Sequence, residues 1–277
     1  MIAAVLLAFR EGLEAALTLG IMLSVLRRYG RQDQQGTAWL GAGLAAVASL
    51  GAGIGLYTLG TSFEGKGEQV FEGLTMLLAA GVLTWMIFWM SRQGRAVQTQ
   101  VEKSVGRAAN DSGRWAVFSL AFLAVVREGI ELALFLTAAT FTDTAAVTLA
   151  GGLIGLGLAA LVGWLIFATA THLDVRAFFR VTSILLLLFA AGLVGRSVYE
   201  FNEAGLVPAV VEHVWNVNSV LDGNSGVGQL LRALLGYDGS PSLTEAAAYA
   251  GYWVAVVLAL RHRGTRGKQA KAPKQTA

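Results

Sequence analysis

The chain has no cysteine, and only three prolines and three histidines among its 277 residues. Without thiols it can form no disulfide, thiolate metal site or iron–sulfur cluster, so any metal chemistry must use oxygen or imidazole ligands. His172, His213 and His262 fall in loops or at helix ends, which takes imidazole away from the interior and leaves a copper path unsupported. Charge is scarce as well. Asp, Glu, Lys and Arg make up 14% of the residues against 55% hydrophobic, with a mean hydropathy of +0.58. A soluble domain carries about 25% charged residues, so this composition describes a polytopic membrane protein with little room for a soluble domain. The thirty-four glycines suit closely packed transmembrane helices, where small residues let backbones approach.

Two glycine-rich stretches imitate nucleotide motifs and fail as such. Gly51-Ala52-Gly53-Ile54-Gly55 lies inside an apolar run with no strand before it, and helix packing accounts for it. The spacing from Gly60 to Gly65-Lys66 is that of a phosphate loop, but Gly67 stands where Ser or Thr must hold magnesium. Neither nucleotide nor nucleic acid is indicated as a partner; the lipid bilayer is.

Apolar runs long enough to cross about 30 Å of hydrocarbon occur at about 2–26, 38–60, 69–91, 115–140, 146–170, 178–199 and 246–260. The expectation is an all-α fold of seven transmembrane helices. Basic residues orient them. Arg27, Arg28, Arg31, Arg92, Arg95, Lys103, Arg107, Arg114, Arg176 and Arg180 follow the odd-numbered spans, and the tail adds more, whereas only Lys66 and Arg232 lie on the opposite side. The positive-inside rule therefore predicts an external N-terminus and a cytoplasmic C-terminus. Acidic residues, among them Glu64, Glu68, Glu200 and Glu203, concentrate on the outer side and would draw cations there. Met1 to Phe9 carries no basic leader region or small-residue cleavage site, and is read as retained. One transmembrane domain is expected over 1–262, with an outer loop at about 200–245, a short amphipathic helix near 227–235 within it, and a basic cytoplasmic tail at 263–277 lying near anionic lipid.

What the composition makes rare, two pentads spend freely. Arg10-Glu11-Gly12-Leu13-Glu14 returns as Arg127-Glu128-Gly129-Ile130-Glu131, each inside an apolar run. One charge at bilayer depth costs roughly 3 kcal/mol on insertion scales, so three in five residues, twice, imply a task. On a helix, the arginine and the glutamate four residues later share a face, giving each pentad a carboxylate pair with its own counter-ion. The repeat extends further: Leu77-Leu78-Ala79-Ala80-Gly81-Val82-Leu83 is echoed by Leu188-Phe189-Ala190-Ala191-Gly192-Leu193-Val194. Three helices per copy, about 1–92 and about 114–200, force the second copy to enter the bilayer from the other side. An inverted 3+3 repeat with helix 7 added is thus predicted, and it brings both pentads to mid-membrane at the pseudo-two-fold axis.

Glu11, Glu14, Glu128 and Glu131 would there repel one another unless cations compensate. Arg10 and Arg127 balance part of the charge and leave a net −2, which suits a multivalent cation. Glu72, in Phe71-Glu72-Gly73, is a further candidate ligand, although its repeat equivalent is Ser183. All-oxygen ligation favours hard ions such as Fe³⁺, Mn²⁺, Mg²⁺ or Ca²⁺. Tyr199, Glu200 and Glu203 form a candidate entrance where helix 6 emerges. Met76, Met86 and Met90 are read as packing residues. The competing readings are a structural role for the ion pairs, as in a scaffold or assembly factor, and a cation/proton exchanger for another divalent metal. A membrane-embedded hydrolase is disfavoured because the spans offer no paired nucleophile and base.

Two Arg-Glu-Gly-x-Glu motifs on the first and fourth of seven helices resemble the oxidase-dependent iron permease family, including its bacterial EfeU-type branch. Phe71-Glu72-Gly73, the run from Leu83 to Met90, and Leu235-Gly236-Tyr237 with Ser240-Pro241-Ser242 add to the resemblance, which covers Met1 to about Leu260. It implies a non-enzymatic, high-affinity iron uptake permease of a plasma or bacterial inner membrane, with ferrous iron oxidised outside and ferric iron carried. Iron is then transported substrate and there is no cofactor. By matching position the motif glutamates are Glu11, Glu14, Glu128 and Glu131, and the motif arginines Arg10 and Arg127. It also implies an extracytoplasmic partner, an iron-binding protein or an oxidase or peroxidase.

Overall fold

The computed structural model describes residues 1–93, 105, 113–169, 175–217, 228, 231 and 236–269, and the described secondary structure is helical throughout. Seven long helices follow in order: α1 (Ile2–Arg28), α2 (Gln35–Thr61), α3 (Lys66–Gln93), α4 (Gly113–Thr140), α5 (Ala145–Thr169), α6 (Val175–Glu203) and α7 (Leu243–Gln269). A 3₁₀ turn, Gln32–Gln34, joins α1 to α2. Five segments, 32–61, 66–90, 145–167, 179–203 and 243–262, are long and apolar enough to cross a bilayer. α1 and α4 match them in length at 27 and 28 residues, and the three charges of each pentad are what set them apart. The protein is a multi-pass membrane protein.

Burial sorts the helices into two rings. α2 and α5 turn long apolar side chains outward: Val47 is 67% exposed and Leu153 72%, as lipid-facing residues must be. The inner ring is α1, α3, α4 and α6. Ala3 and Leu7, Met76 to Ile87, Phe135 to Ala139, and Leu186 to Leu193 pack there as one core.

Glycine contacts reveal the internal symmetry residue by residue. A β-carbon on Gly41 of α2 would lie 2.6 Å from the Phe118 carbonyl oxygen and 3.2 Å from the Ala121 β-carbon. On Gly151 of α5 it would lie 2.8 Å from the Met1 carbonyl oxygen and 3.0 Å from the Ala4 β-carbon. Ala4 and Ala121 each stand six residues ahead of their pentad arginine. The same correspondence pairs Gly53 with Ala133 and Gly163 with Ala16, and it sets the pentad glycines Gly12 and Gly129 against Ala159 and Ser49. In each pair the numbering rises together, so α2 runs alongside α4 and α5 alongside α1. The turn after Arg28 reverses α2 against α1, and α4 is therefore antiparallel to α1, which is the inverted arrangement the sequence predicts.

α7 stands outside the repeat. Ser242 and Glu245 close a reciprocal cap at its start, the Ser242 amide donating to Glu245 Oε1 and the Glu245 amide to Ser242 Oγ, each at 3.2 Å. Tyr252 and Thr84 hydroxyls, 2.8 Å apart, tie α7 to α3. The preceding loop is pinned by Val214 N–H to the Pro241 carbonyl (3.0 Å) and Val217 N–H to the Gly239 carbonyl (2.9 Å). Gly236, at φ +64°, lays its backbone directly on Gly192 of α6. Between this loop, α6 and α7 lies a cavity of about 560 Å³ that Arg196, Trp215, Asp238 and Glu245 help to line.

Two boundaries differ from the sequence reading. α7 continues past Leu260 to Gln269, beyond the end of the apolar run, so the expected tail begins as helix. α6 runs to Glu203, past the predicted end at 199, so Tyr199, Glu200 and Glu203 all lie on its last turns. The amphipathic helix expected at 227–235 lies, apart from Gly228 and Leu231, outside the described residues, as do 270–277 and His172.

Candidate metal centre

Each pentad forms its own intrahelical pair, as the spacing i, i+4 requires. Arg10 Nε donates to Glu14 Oε1 at 3.0 Å, and Arg127 Nε to Glu131 Oε1 at 3.2 Å. These pairs occupy the second glutamate of each motif. The first glutamates project toward the opposing helix, and the antiparallel crossing of α1 and α4 brings them together. One carboxylate oxygen from each of Glu11, Glu128 and Glu131 lies within 4.8 Å of the other two. Glu14 shares the same field, its charge acting on Glu131 and Glu128. Three of the four predicted carboxylates therefore meet at one place, and the fourth, Glu14, acts on it through its charge.

The centre is sealed and underfilled with donors. Arg10 and Glu11 are each 1% exposed, and Glu128 is 9% exposed. No hydrogen-bond donor among the described residues reaches either oxygen of Glu11, nor Oε2 of Glu128 or Glu131. Glu11 instead faces the carboxyl group of Glu128 closely enough to interact with it directly. Two carboxylates cannot hold each other without a proton or a cation between them, and burying either one unpaired costs several kcal/mol. This donor set is hard, anionic and all oxygen, and it fits a multivalent cation.

The symmetry of the scaffold stops at the arginines. Arg10 is enclosed, and its Nη2 donates to Met90 Sδ at 3.0 Å. The Arg127 side chain is 42% exposed, lies with its guanidinium carbon 4.9 Å from the Trp89 ring centroid, and also leans on Glu128, Nε to Oε1 being 3.6 Å. Both arginines thus contact the last turns of α3. Met76 and Met86 sit in the apolar core and Met90 packs against it, as the sequence reading has them, and Met90 in addition accepts from Arg10.

Glu72 stands with a different group. Its charged neighbours are Glu200, Glu68 and Arg196, and no pentad residue is among them. Glu200 is buried and held by Arg196 Nη2 at 3.2 Å, while the Arg196 guanidinium carbon lies 4.3 Å from the Tyr199 ring centroid. Glu203 acts on the same group through its charge. Glu72 and the expected entrance residues thus form a second acidic cluster at the ends of α3 and α6. His213 is occupied by the Ser240 carbonyl at 3.3 Å, in the outer loop where the sequence places it.

Comparison with known proteins agrees with this arrangement. Residues 1–266 match the model of the iron permease FTR1 family. The chain is 37% identical over 257 residues to the ferrous iron permease EfeU of Escherichia coli O6:K15:H31, covering 92% of this chain and 93% of that protein. It is 34% identical over 275 residues to the ferrous iron permease EfeU of Yersinia pestis, with 98% and 97% covered. No solved structure matches the chain. A family match along nearly its whole length, two pentads that meet at a buried carboxylate centre and a seven-helix inverted repeat together make this chain a member of the iron permease FTR1 family.

Proposed function

We propose that the chain takes up iron across a bacterial inner membrane, and that the ion passes through the centre formed by Glu11, Glu14, Glu128 and Glu131. The observation that carries this reading is the convergence of Glu11, Glu128 and Glu131 from two inverted halves, with Glu14 acting on them through its charge and both oxygens of Glu11 buried and undonated. A scaffold held by structural ion pairs would close every carboxylate with an arginine. Here Arg10 closes Glu14 and leaves Glu11 open. The second acidic group, Glu68, Glu72, Glu200 and Glu203, attracts cations toward the external ends of α3 and α6, and Glu72 serves there rather than at the centre.

The hard donor set and the net −2 charge favour iron carried as Fe³⁺ after external oxidation of Fe²⁺, with an extracytoplasmic iron-binding, oxidase or peroxidase protein supplying it. Radiolabelled iron flux into liposomes containing only this chain tests both levels. Wild type should accumulate iron, and Glu14→Ala and Glu131→Ala should abolish it while both proteins still insert. Near-normal flux in both variants removes the pentads from the path. Flux from ascorbate-held Fe²⁺ in the absence of any oxidant, at the rate seen with Fe³⁺ citrate, overturns the ferric assignment. Competition by Mn²⁺ or Mg²⁺ at equimolar concentration would point to a general divalent carrier.

A further inference from the structure

The two pentads are chemically identical at arginine and glutamate and occupy matching places in the repeat, so each is a control for the other. They differ in what the arginine does to the first glutamate. In the second pentad, Arg127 carries no thioether contact among those described, and its Nε comes to 3.6 Å from Glu128 Oε1. In the first, Arg10 makes no such approach to Glu11, whose two oxygens remain without a donor. What distinguishes Arg10 is Met90. Its sulfur accepts from Nη2 while Glu14 accepts from Nε, so the guanidinium is held at two of its nitrogens and turned away from its neighbour.

We infer that Met90 is a positioning residue for the metal centre: it holds Arg10 off Glu11 and so keeps that carboxylate available to iron. The inference rests on the iron reading above. Arg10 is sealed from water and its Nη1 already lacks an acceptor. If the sulfur is removed, Nη2 becomes a second buried donor without a partner, which is costly enough to drive a search for another acceptor. The undonated Glu11 carboxylate is adjacent in sequence and of opposite charge, and Arg127 shows that an arginine at this position can lean that way. An arginine paired with Glu11 competes with the incoming ion. The first effect is therefore on binding and not on the rate of the loaded carrier. The repeat-equivalent position in α6 is Phe201, which has no acceptor to offer and whose ring lies against Gly73.

Met90→Leu removes the acceptor and preserves apolar volume, and Met90→Gln supplies a carbonyl oxygen at similar reach. In liposomes, Met90→Leu should raise the KM for iron about tenfold, the equivalent of one net hydrogen bond near 1.4 kcal/mol, with kcat unchanged, and Met90→Gln should restore the wild-type KM. The same order should appear in calorimetric titration of the detergent-purified proteins with Mn²⁺ as the probe. Equal KM in wild type and Met90→Leu overturns the role of Met90, and so does an equal rise in both variants, which would mark Met90 as packing alone. If Met90→Leu fails to insert, Met90→Gln decides: wild-type affinity supports the acceptor role and a weakened one refutes it. Wild type that moves no iron refutes the transport reading instead, and the Mn²⁺ titration then still tests Met90.

Discussion

Replacing Glu11 by Gln separates a transport centre from an architectural ion pair, because the two accounts predict opposite signs for stability. The substitution keeps the shape of the side chain and removes one negative charge from a group of four carboxylates and two guanidiniums, so the net charge falls from −2 to −1. At about 4 Å and an effective dielectric near 20, a unit charge pair is worth roughly 4 kcal/mol, and even this much lost from ion binding is on the order of a thousandfold in affinity. Folding should respond the other way. Glu11 is 1% exposed, with both oxygens undonated and its carboxyl facing Glu128. A glutamine there can donate its amide to Glu128 and relieve the repulsion, a gain of about 1–3 kcal/mol for one satisfied buried group. For a chain of this size about 1 kcal/mol corresponds to some 2–4 °C in Tm. Glu11→Gln should thus be dead for iron flux in liposomes and melt several degrees higher than wild type in detergent. If it instead keeps its flux, or melts lower, Glu11 is held by a partner that this structure does not contain and the reasoning fails.

Two further outcomes test the scaffold. Gly41→Leu drives a side chain into the Phe118 carbonyl, where even a β-carbon would sit 2.6 Å from the oxygen, and should cost about 1–3 kcal/mol or prevent assembly, whereas Leu at the open Gly43 should be tolerated; comparing the yield of folded protein by size-exclusion chromatography distinguishes the two positions. Ser242→Ala removes one half of the α7 cap and should lower stability by about 1 kcal/mol with iron KM unaffected, which thermal unfolding and flux on the same preparation would read together.

How much of this was readable beforehand follows from which forces are local. Apolar runs bounded by arginines mark the helices because the bilayer imposes one length on all of them, and the predicted spans differ from the observed helices by a few residues at most ends. The exception is α7, where hydropathy marks the edge of the lipid and not the end of the helix. Convergence of the pentads was also legible, since an odd number of helices per repeat leaves no other geometry. The neighbours of Glu72 were not. They depend on how α3 and α6 cross, and that angle is set by the packing of Ala79, Ala80, Ala190 and their surroundings across a long sequence separation. The role of Met90 was hidden for the same reason, as a thioether in a core helix looks identical whether it faces leucine or arginine.

The arginines explain why a centre of this kind can persist in lipid. Four buried carboxylates alone would be prohibitive, and four carboxylates with four cations would leave nothing for an ion to bind. One arginine per pair, placed four residues from the second glutamate, closes Glu14 and Glu131, leaves Glu11 open and gives Glu128 only the longer 3.6 Å approach of Arg127; Glu11 and Glu128 belong to different halves of the repeat. The unpaired charge is therefore placed where the halves meet, and an ion that binds there joins α1 to α4. Side-chain exposure of 42% at Arg127 against 1% at Arg10 shows that the halves do not close around it equally. A scaffold whose glycine contacts match on both sides can hold that difference only through side chains that break the repeat, and at this centre those are Trp89 and Met90 on α3, whose repeat equivalents on α6 are Glu200 and Phe201.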